Sequence, residues 1–286
     1  MELLRHKAVL YLRMIKIAHS VFALPFAFTG ALLAASGIPT VRQIFWITVA
    51  MVGARSGAMG MNRIVDRRID AENPRTRNRE IPSGKIGAGE ALLFTAISFA
   101  ALILAAYNLN PLCLKLSPLA IFVLVAYSYT KRFTWLSHFV LGLSLSAAPL
   151  GAWIAVKGSF DPSILALSGA VIFWLAGFDI LYALQDLDFD RSRGLYSIPQ
   201  RFGVRRSLAL SRLFHAITFL FLTATGILFN LGAPYWAGML VVGGLFLYEH
   251  SLVRHDDLSK LDVAFFNMNG YISIAVFVSA LLAVLM

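Results

Sequence analysis

The most regular feature of this chain is a series of apolar segments separated by short polar stretches. A helix needs roughly 20 apolar residues to cross the hydrocarbon core of a bilayer, and each segment is about that long. The polar stretches contain Gly, Pro, Asn and Ser, which end helices and form turns. The pattern predicts nine helices, at approximately residues 17–36, 41–62, 88–107, 111–130, 135–156, 162–185, 208–230, 234–253 and 262–285.

The composition also indicates a membrane protein. Of 286 residues, 58% are hydrophobic and only 14% are charged, whereas soluble proteins average about 25% charged residues. The mean hydropathy is +0.73. We therefore predict an all-α integral membrane bundle that forms a single domain over residues 1–286. Because Cys113 is the only cysteine, the chain cannot build an internal disulfide or a thiolate metal site.

The positive charges predict an orientation in the membrane. In this helix order most of the 25 Lys and Arg residues lie on one side, which also carries the long loops 63–87 and 187–207. Loops retained in the cytoplasm are enriched in Lys and Arg, so this side and the N-terminus are predicted to be cytoplasmic. The net charge of +10 is divided among short loops rather than pooled, which argues against nucleic acid as a partner. The predicted partner is the lipid bilayer.

Three polar side chains recur at the cytoplasmic end of the second predicted helix. Asn62, Asp66 and Asp70 are spaced at i, i+4 and i+8, and on an α-helix successive members then lie about 40° apart. All three side chains can therefore line one site. The alternative is a helix end at which the aspartates pair with neighbouring arginines, namely Arg63, Arg67 and Arg68.

A second group of carboxylates consists of Asp179, Asp186 and Asp190, with Tyr182 between the first two. Steps of seven and then four residues again place the three on one face of a helix. Asp179 follows an apolar run, and a carboxylate at membrane depth costs on the order of 3 kcal/mol, so it is expected to face a polar cavity. Asp188 lies off this stripe and is interpreted as a solvated neighbour.

Two carboxylate stripes near one membrane surface favour a site that handles diphosphate. Mg²⁺ prefers oxygen ligands and is usually held by one or two carboxylates together with substrate phosphate oxygens. We therefore predict Mg²⁺ as the cofactor, with the ligands drawn from Asn62, Asp66, Asp70, Asp179, Asp186 and Asp190. Nearby cations can bind phosphate oxygens directly, and the candidates are Arg63, Arg67, Arg68, Lys131 and Arg132.

Taken together, these residues make the chain resemble the UbiA superfamily of intramembrane aromatic prenyltransferases, whose best-known members are 4-hydroxybenzoate polyprenyltransferases. The resemblance covers essentially the whole chain. Three family motifs occur in order: NxxxDxxxD at Asn62, Asp66 and Asp70; YxxxK at Tyr127 and Lys131; and DxxxD, preceded by an aspartate and a tyrosine, at Asp186 and Asp190 with Asp179 and Tyr182.

The resemblance implies a nine-helix bundle around a central cavity, with a lateral opening for the tail of a polyprenyl diphosphate. The implied reaction is Mg²⁺-dependent transfer of the polyprenyl group to a small aromatic acid, in ubiquinone or menaquinone biosynthesis, at the inner membrane of a bacterium. In this reaction an allylic cation forms and aromatic rings can shelter it. The catalytic residues so implied are Asp66, Asp70, Asp186, Asp190, Tyr127 and Tyr182.

The sequence leaves two candidates for the aromatic acceptor. Segments such as ALPFAFTGA and NPRTRNREIPSG are closest to a bacterial hydroxybenzoate-like subgroup. Part of that subgroup is associated with a dihydroxynaphthoate in the futalosine route to menaquinone, so 4-hydroxybenzoate and 1,4-dihydroxy-6-naphthoate both stay open. Arg55, within the second apolar segment, can bind the carboxylate of such an acceptor bidentately; a structural hydrogen bond is the alternative.

A cationic loop segment and three histidines lie outside these motifs. The segment NPRTRNREIPSGK carries four cations, Arg75, Arg77, Arg79 and Lys85. It can cover the site and bind phosphate, or it can be a solvated loop that sets the membrane topology. Three histidines, His19, His138 and His215, show no metal-ligand spacing and are not predicted to be catalytic.

Two other classes of membrane protein also carry intramembrane or interfacial carboxylates. Intramembrane acids also mark transporters, but those would lie near several helix centres in inverted half-repeats. The compact DGxxAR-type signature of the CDP-alcohol phosphotransferases is absent from the sequence. Within the superfamily, haem, chlorophyll and homogentisate prenylation stay open as alternatives, because acceptor pockets are built from scattered residues.

Overall fold

The computed structural model describes residues 2–16 and 20–286, and this part of the chain is mostly helical. It also contains a 3-10 turn at Leu184–Asp186 and a π-helical turn at Val263–Met268. In chain order the helices are α1 (Glu2–Met14), α2 (Ser20–Ala35), α3 (Val41–Glu72), α4 (Ala88–Leu109), α5 (Pro111–Thr130), α6 (Ser137–Lys157), α7 (Ile164–Ala183), α8 (Leu187–Arg193), α9 (Ile198–Leu228), α10 (Ala233–Ser251) and α11 (Asn269–Leu285).

The chain is a multi-pass membrane protein by the length and composition of its helices. Among the described residues, 7 helical segments are long and apolar enough to cross a bilayer: α3, α4, α5, α6, the run from α7 through α8, α9, and α11 with its π-helical turn. The predicted total of nine is not confirmed. Helix α2 has only 16 residues, and α10 contains Pro234, several glycines, Glu249 and His250, which lower its hydropathy.

The chain folds into two compact units, one made of Met1–Ser20 and Phe45–Tyr129, the other of Val21–Ile44 and Thr130–Met286. The predicted single domain stays a prediction. Residues 17–19, where the first apolar segment was predicted to begin, lie outside the described part of the chain, and so does His19.

In the first unit, glycines on α3 allow α4 to approach closely. A Cβ atom on Gly53 would lie 2.7 Å from the carbonyl oxygen of Ser98, and one on Gly57 would meet the ring of Phe99. Small residues permit this kind of backbone approach between membrane helices. The C-terminal end of α1 packs through Met14 and Ile15 in an apolar cluster that also contains Ile86.

In the second unit, α7 is the most buried of the candidate spans, with 72% of its apolar window buried. Helix α6 lies close to it at Gly142, where an added Cβ would be 2.6 Å from the carbonyl oxygen of Ile172. Helix α9 begins at Ile198, well before the apolar segment predicted from residue 208. Its N-cap, Ser197, accepts a hydrogen bond from the backbone N–H of Gln200, and Gly203, at a φ of 75°, bends its first part.

Candidate active site

The first carboxylate stripe lies on one continuous helix, α3, which extends ten residues beyond the predicted apolar segment and so includes all three residues. Asp66 and Asp70 are 2% and 4% exposed, and Asn62 is half-buried. The side-chain amide of Asn62 donates to Oδ2 of Asp66 over 3.1 Å. The i, i+4, i+8 spacing therefore gives a row of oxygen-bearing side chains along α3, two of them buried carboxyls.

Asp70 pairs with Arg79, which lies in the loop after α3. One guanidinium nitrogen, Nη1, is 2.7 Å from Oδ1 and 2.8 Å from Oδ2 of Asp70. The loop is itself fixed to the end of α3, because the hydroxyl of Thr76 donates to the backbone carbonyl of Asp70. The alternative interpretation of this stripe paired its aspartates with Arg63, Arg67 and Arg68, whereas the arginine that contacts Asp70 here is Arg79 of the following loop.

Two arginines of α3 donate to backbone carbonyls at the C-terminal end of α1, one on its last residue and one two residues beyond it. Nε of Arg63 is 3.2 Å from the oxygen of Met14, and Nη2 of Arg55 is 3.3 Å from the oxygen of Lys16. The last carbonyls of a helix lack partners within the helix, so the two arginines satisfy them. Arg63 is 4% exposed. Nε of Arg55 is buried and has no hydrogen-bond partner among the described residues.

The other predicted residues of this unit occupy different environments. Arg67 is exposed, and its Nη1 donates to the carbonyl oxygen of Ile64 over 2.8 Å. Tyr127, on α5, packs beside Ala58 of α3 and directs its hydroxyl to the carbonyl oxygen of Ala58 over 3.4 Å. The side chain of Arg68 is exposed on α3.

The second carboxylate stripe is not carried by one uninterrupted α-helix, which corrects the sequence interpretation. Asp179 is on α7, Asp186 is the last residue of the 3-10 turn, and Asp190 is on α8. A 3-10 turn advances about 120° per residue instead of 100°, so three residues shift the face by about 60°. Asp186 and Asp190 are half-buried, while Asp188 is exposed as predicted for a solvated neighbour.

Two carboxylates of this stripe have well-defined partners within their own unit. Oδ2 of Asp179 is 2.7 Å from Nδ1 of His138, and Oδ2 of Asp190 accepts the hydroxyl proton of Ser197 over 3.1 Å. The end of α8 is also fixed, because Gly194 takes the left-handed conformation at a φ of 64° and its N–H bonds to the carbonyl of Asp190.

The remaining predicted residues of the second unit lie near these carboxylates in sequence or pack among aromatic rings. Lys131 and Arg132 follow α5 directly and are half-buried, and the backbone oxygen of Lys131 accepts the N–H of Tyr196 over 2.8 Å. The ring of Tyr182 lies 4.4 Å from that of Phe265, centroid to centroid. Phe265 in turn contacts Phe178 and Phe22, so Tyr182 is at one side of an aromatic cluster.

Within the described residues, no three His, Cys, Asp or Glu side chains are grouped so that they could hold a metal ion by themselves. Such a cage is the usual form of a structural zinc site. Mg²⁺ instead binds through one or two carboxylates with substrate phosphates and water. The carboxylates of each stripe, taken by itself, are oxygen ligands of the kind that this second type of site uses.

The comparison with known proteins decides the family. The profile of the UbiA prenyltransferase family matches residues 23–271. The chain belongs to the UbiA prenyltransferase family. It is therefore an enzyme of the transferase class, and the family membership inferred from the three motifs is confirmed.

Relatives of this UbiA family protein are similar over most of their length. It is 32% identical over 253 residues to a 4-hydroxybenzoate octaprenyltransferase of Vibrio cholerae serotype O1, with 88% of each chain covered. The enzyme of the same name from Aliivibrio fischeri is also 32% identical over 253 residues. The match favours an enzyme over the transporter considered above.

Solved structures share the fold. The apo structure of a UbiA homolog from Aeropyrum pernix K1 has a TM-score of 0.84 at 31% identity and covers 92% of this chain and 97% of its own. A UbiA homolog from Archaeoglobus fulgidus bound to GPP and Mg²⁺ has a TM-score of 0.73 at 19% identity and covers 97% of this chain. At that identity the second likeness concerns the fold alone.

Sequence reasoning missed several partners in the site of this UbiA family protein. His138 was set aside because it has no metal-ligand spacing, yet it contacts Asp179 across 41 positions of the chain. Ser197 had no assigned role, although a serine with a proline two residues later is a helix start signal. Arg79 was grouped with the loop cations, and no local pattern distinguishes it from Arg75 or Arg77.

Proposed function

We propose that this UbiA family protein transfers a polyprenyl group from a polyprenyl diphosphate to 4-hydroxybenzoate, with Mg²⁺ as its cofactor. The observation that carries the proposal is the pair of buried carboxyls, Asp66 and Asp70, one helical turn apart on α3. Buried acids at such a position are costly unless they serve a polar site. The relatives named 4-hydroxybenzoate octaprenyltransferase support the choice of acceptor.

The donor atoms fit Mg²⁺. Both stripes offer carboxylate oxygens, with one amide oxygen at Asn62, and Asp70 already faces a cation of its own chain. When bound, Mg²⁺ neutralises the diphosphate and so assists cleavage of the allylic C–O bond. The residues that would hold it are Asn62, Asp66, Asp70, Asp179, Asp186 and Asp190.

The cations of the chain bind and orient the diphosphate. Lys131, Arg132 and Arg67 supply N–H donors to phosphate oxygens and stabilise the charge that develops on the leaving group. Arg63 differs from these, because it is buried and its Nε donates to a backbone carbonyl near the end of α1. We therefore assign Arg63 to anchoring α1 against α3.

Aromatic side chains shelter the allylic cation and exclude water. Tyr127 and Tyr182 are assigned this role, each worth about 1–2 kcal/mol when the contact is desolvated. The packing of Tyr182 against Phe265 fixes its ring plane, which a cation–π contact requires. After the ring carbon of the acceptor attacks, the aromatic ring loses its proton.

Arg55 recognises the carboxylate of the acceptor. Its buried Nε has no hydrogen-bond partner among the described residues, and a buried donor without a partner costs about 1–3 kcal/mol. A carboxylate that accepts from this nitrogen would remove that cost. Within the described part of the chain, Arg55 donates through Nη2 to the backbone oxygen of Lys16, and this bond leaves Nε for the acceptor.

The membrane arrangement completes the proposal. We infer that α2 and α10 also cross the bilayer, which brings the spans to nine within a single domain around a central cavity with a lateral opening. The distribution of Lys and Arg supports a cytoplasmic N-terminus and an active site that opens to the cytoplasm. The location is the inner membrane of a bacterium.

The test is a direct assay of the purified protein in detergent. It is incubated with Mg²⁺ and a polyprenyl diphosphate, with 4-hydroxybenzoate in one arm and 1,4-dihydroxy-6-naphthoate in another, and products are followed by mass spectrometry. We expect prenylated 4-hydroxybenzoate, and its loss when EDTA is added. If product forms only with 1,4-dihydroxy-6-naphthoate, that compound is the acceptor instead of 4-hydroxybenzoate. If no aromatic acid is prenylated, the proposal is overturned.

A further inference from the structure

His138 occupies an unusual position for a residue without an assigned role. It lies in the first turn of α6, is 3% exposed, and both of its ring nitrogens are engaged. Nδ1 is 2.7 Å from Oδ2 of Asp179, and Nε2 is 3.1 Å from the backbone nitrogen of Ile198. One imidazole ring thus joins α6, α7 and the first residue of α9.

The partners determine which nitrogen carries the proton. A backbone N–H can only donate, so Nε2 of His138 accepts from Ile198. In the neutral ring Nδ1 then carries the hydrogen and donates it to Asp179. This bond occupies Oδ2 of Asp179, while Oδ1 has no hydrogen bond to any residue that the structure describes. The histidine therefore fixes the rotation of the carboxylate and leaves one oxygen for another ligand.

The turn before α9 makes similar contacts on either side of Ile198. The hydroxyl of Ser197 accepts from the N–H of Gln200 and donates its own proton to Oδ2 of Asp190. The N–H of Tyr196 donates to the backbone oxygen of Lys131. Three consecutive residues, 196–198, thus contact Lys131, Asp190 and His138.

We propose that His138 is a positioning residue for the second carboxylate stripe, acting with the turn at residues 196–198 to orient Asp179 toward the metal–diphosphate group. This inference rests on the proposed function, since it assigns Asp179 to the metal site. Residues that orient ligands through hydrogen bonds typically change metal affinity or activity by about 10–100-fold when they are replaced.

Two amide substitutions separate the two hydrogen bonds of the ring. The amide nitrogen of His138→Asn can take the place of Nδ1 and donate to Asp179. The longer side chain of His138→Gln can place its amide oxygen near Nε2 and accept from Ile198, but it cannot keep the bond to Asp179. Both remove the ring, so a loss of packing affects them equally.

The first measurement is the Mg²⁺ dependence of prenyl transfer. We expect His138→Gln to raise the half-saturating Mg²⁺ concentration by about tenfold and to lower kcat, with little change in the KM for the acceptor. We expect His138→Asn to retain most of the wild-type Mg²⁺ dependence. His255→Gln, a change in an exposed loop, is the control and should match the wild type.

The second measurement does not require turnover. Addition of Mg²⁺ with inorganic diphosphate should raise the Tm of the wild type and of His138→Asn, and should raise that of His138→Gln only at higher Mg²⁺. Asp179→Asn should show the same defect, and the double variant His138→Gln, Asp179→Asn should be no worse than either single one, because both remove the same interaction.

The outcomes separate this proposal from the proposed function. Wild-type Mg²⁺ dependence in His138→Gln, equal defects in both amide variants, or additive effects with Asp179→Asn would overturn the positioning role. If both histidine variants fail to fold, Asp179→Asn alone decides, and an unchanged Mg²⁺ requirement would refute it. Absence of product from the wild type would refute the proposed function, while the Tm measurement would still test His138.

Discussion

At the scale of single residues, the ion pair between Asp70 and Arg79 shows how the chain itself compensates a buried carboxylate of the first stripe. Nη1 of Arg79 lies within 2.8 Å of both carboxylate oxygens, and the two side chains are only 18% and 5% exposed. A buried carboxylate that loses its cation is left uncompensated, and this typically costs 3–5 kcal/mol. Arg79 therefore holds the carboxylate in place, and a metal ion would compete with it.

This pairing predicts the effect of removing the cation. Arg79→Gln should lower the free energy of unfolding by about 3 kcal/mol when no divalent ion is present, because Asp70 stays buried. Saturating Mg²⁺ should recover part of the loss, since the ion neutralises the same carboxylate. Thermal unfolding in detergent with and without Mg²⁺ measures both effects. Arg77→Gln, an exposed change in the same loop, should have no effect, and an equal loss for both variants would contradict the prediction.

A second prediction concerns the two stripes themselves. Asp66→Asn or Asp186→Asn should lower turnover by about 100-fold or more, because a neutral amide provides less charge for the metal and the developing leaving group. Both variants should still insert and fold, which the elution profile in detergent reports. Asp188→Asn lies off the stripe and is exposed, so it should keep wild-type activity. Full activity in Asp66→Asn would remove that residue from the metal site.

At the scale of helices, the site depends on how closely α6 and α7 approach each other. Gly142 allows that approach, and His138 lies one turn before it on α6. A Cβ at residue 142 would lie 2.6 Å from the backbone oxygen of Ile172, and a backbone atom cannot turn aside as a side chain can. Small residues at helix interfaces are the means by which membrane helices pack closely.

Gly142→Ala should therefore separate the two helices and lower the free energy of unfolding by about 1–3 kcal/mol. Helix α6 provides a matched control, because Gly151 has nothing within 4 Å of an added Cβ. Gly151→Ala should leave stability unchanged or raise it by up to about 1 kcal/mol through helix propensity. The shift in Tm of the two variants tests this, and a shift of the same size in both would refute the role of Gly142.

The helices also show which parts of the fold the sequence can predict. Apolar segments predict the bounds of α4, α5 and α6 well, because in these helices the apolar residues continue to both helix ends. Hydropathy does not show the polar ends of two helices. Helix α3 continues to Glu72 and α9 starts at Ile198, because helical hydrogen bonds do not require apolar side chains. The 3-10 turn at Leu184–Asp186 has no signal in hydropathy.

In the candidate site, too, the sequence predicts some features and not others. The spacing of Asn62, Asp66 and Asp70 was readable because its residues are neighbours on one helix. The contacts of His138 with Asp179 and of Arg63 with Met14 join residues 41 and 49 positions apart, and a single sequence does not encode such pairs locally. Sequence therefore predicts rows of side chains along a helix, and tertiary structure supplies the partners that orient them.

At the scale of the whole molecule, the distribution of positive charge predicts orientation. The proposed nine-span arrangement places the loop after α3 in the cytoplasm and the loop after α6 on the opposite side. Cysteines can test this in a Cys113→Ser background, because Cys113 is the only native thiol. Ser159→Cys should react with a membrane-impermeant maleimide in intact cells, whereas Ser83→Cys should react only after permeabilisation. The reverse pattern would invert the orientation.

The same labelling decides whether α10 crosses the bilayer, which its composition leaves unconfirmed. Helix α9 ends at Leu228 and α10 ends at Ser251, so the loop before α11 changes sides only if α10 spans. Arg254 and Lys260 in that loop favour the cytoplasm, because loops rich in Lys and Arg are retained there. Ser259→Cys, an exposed position, should therefore be protected in intact cells as Ser83→Cys is. Labelling as rapid as that of Ser159→Cys would place the loop outside and reduce the number of spans.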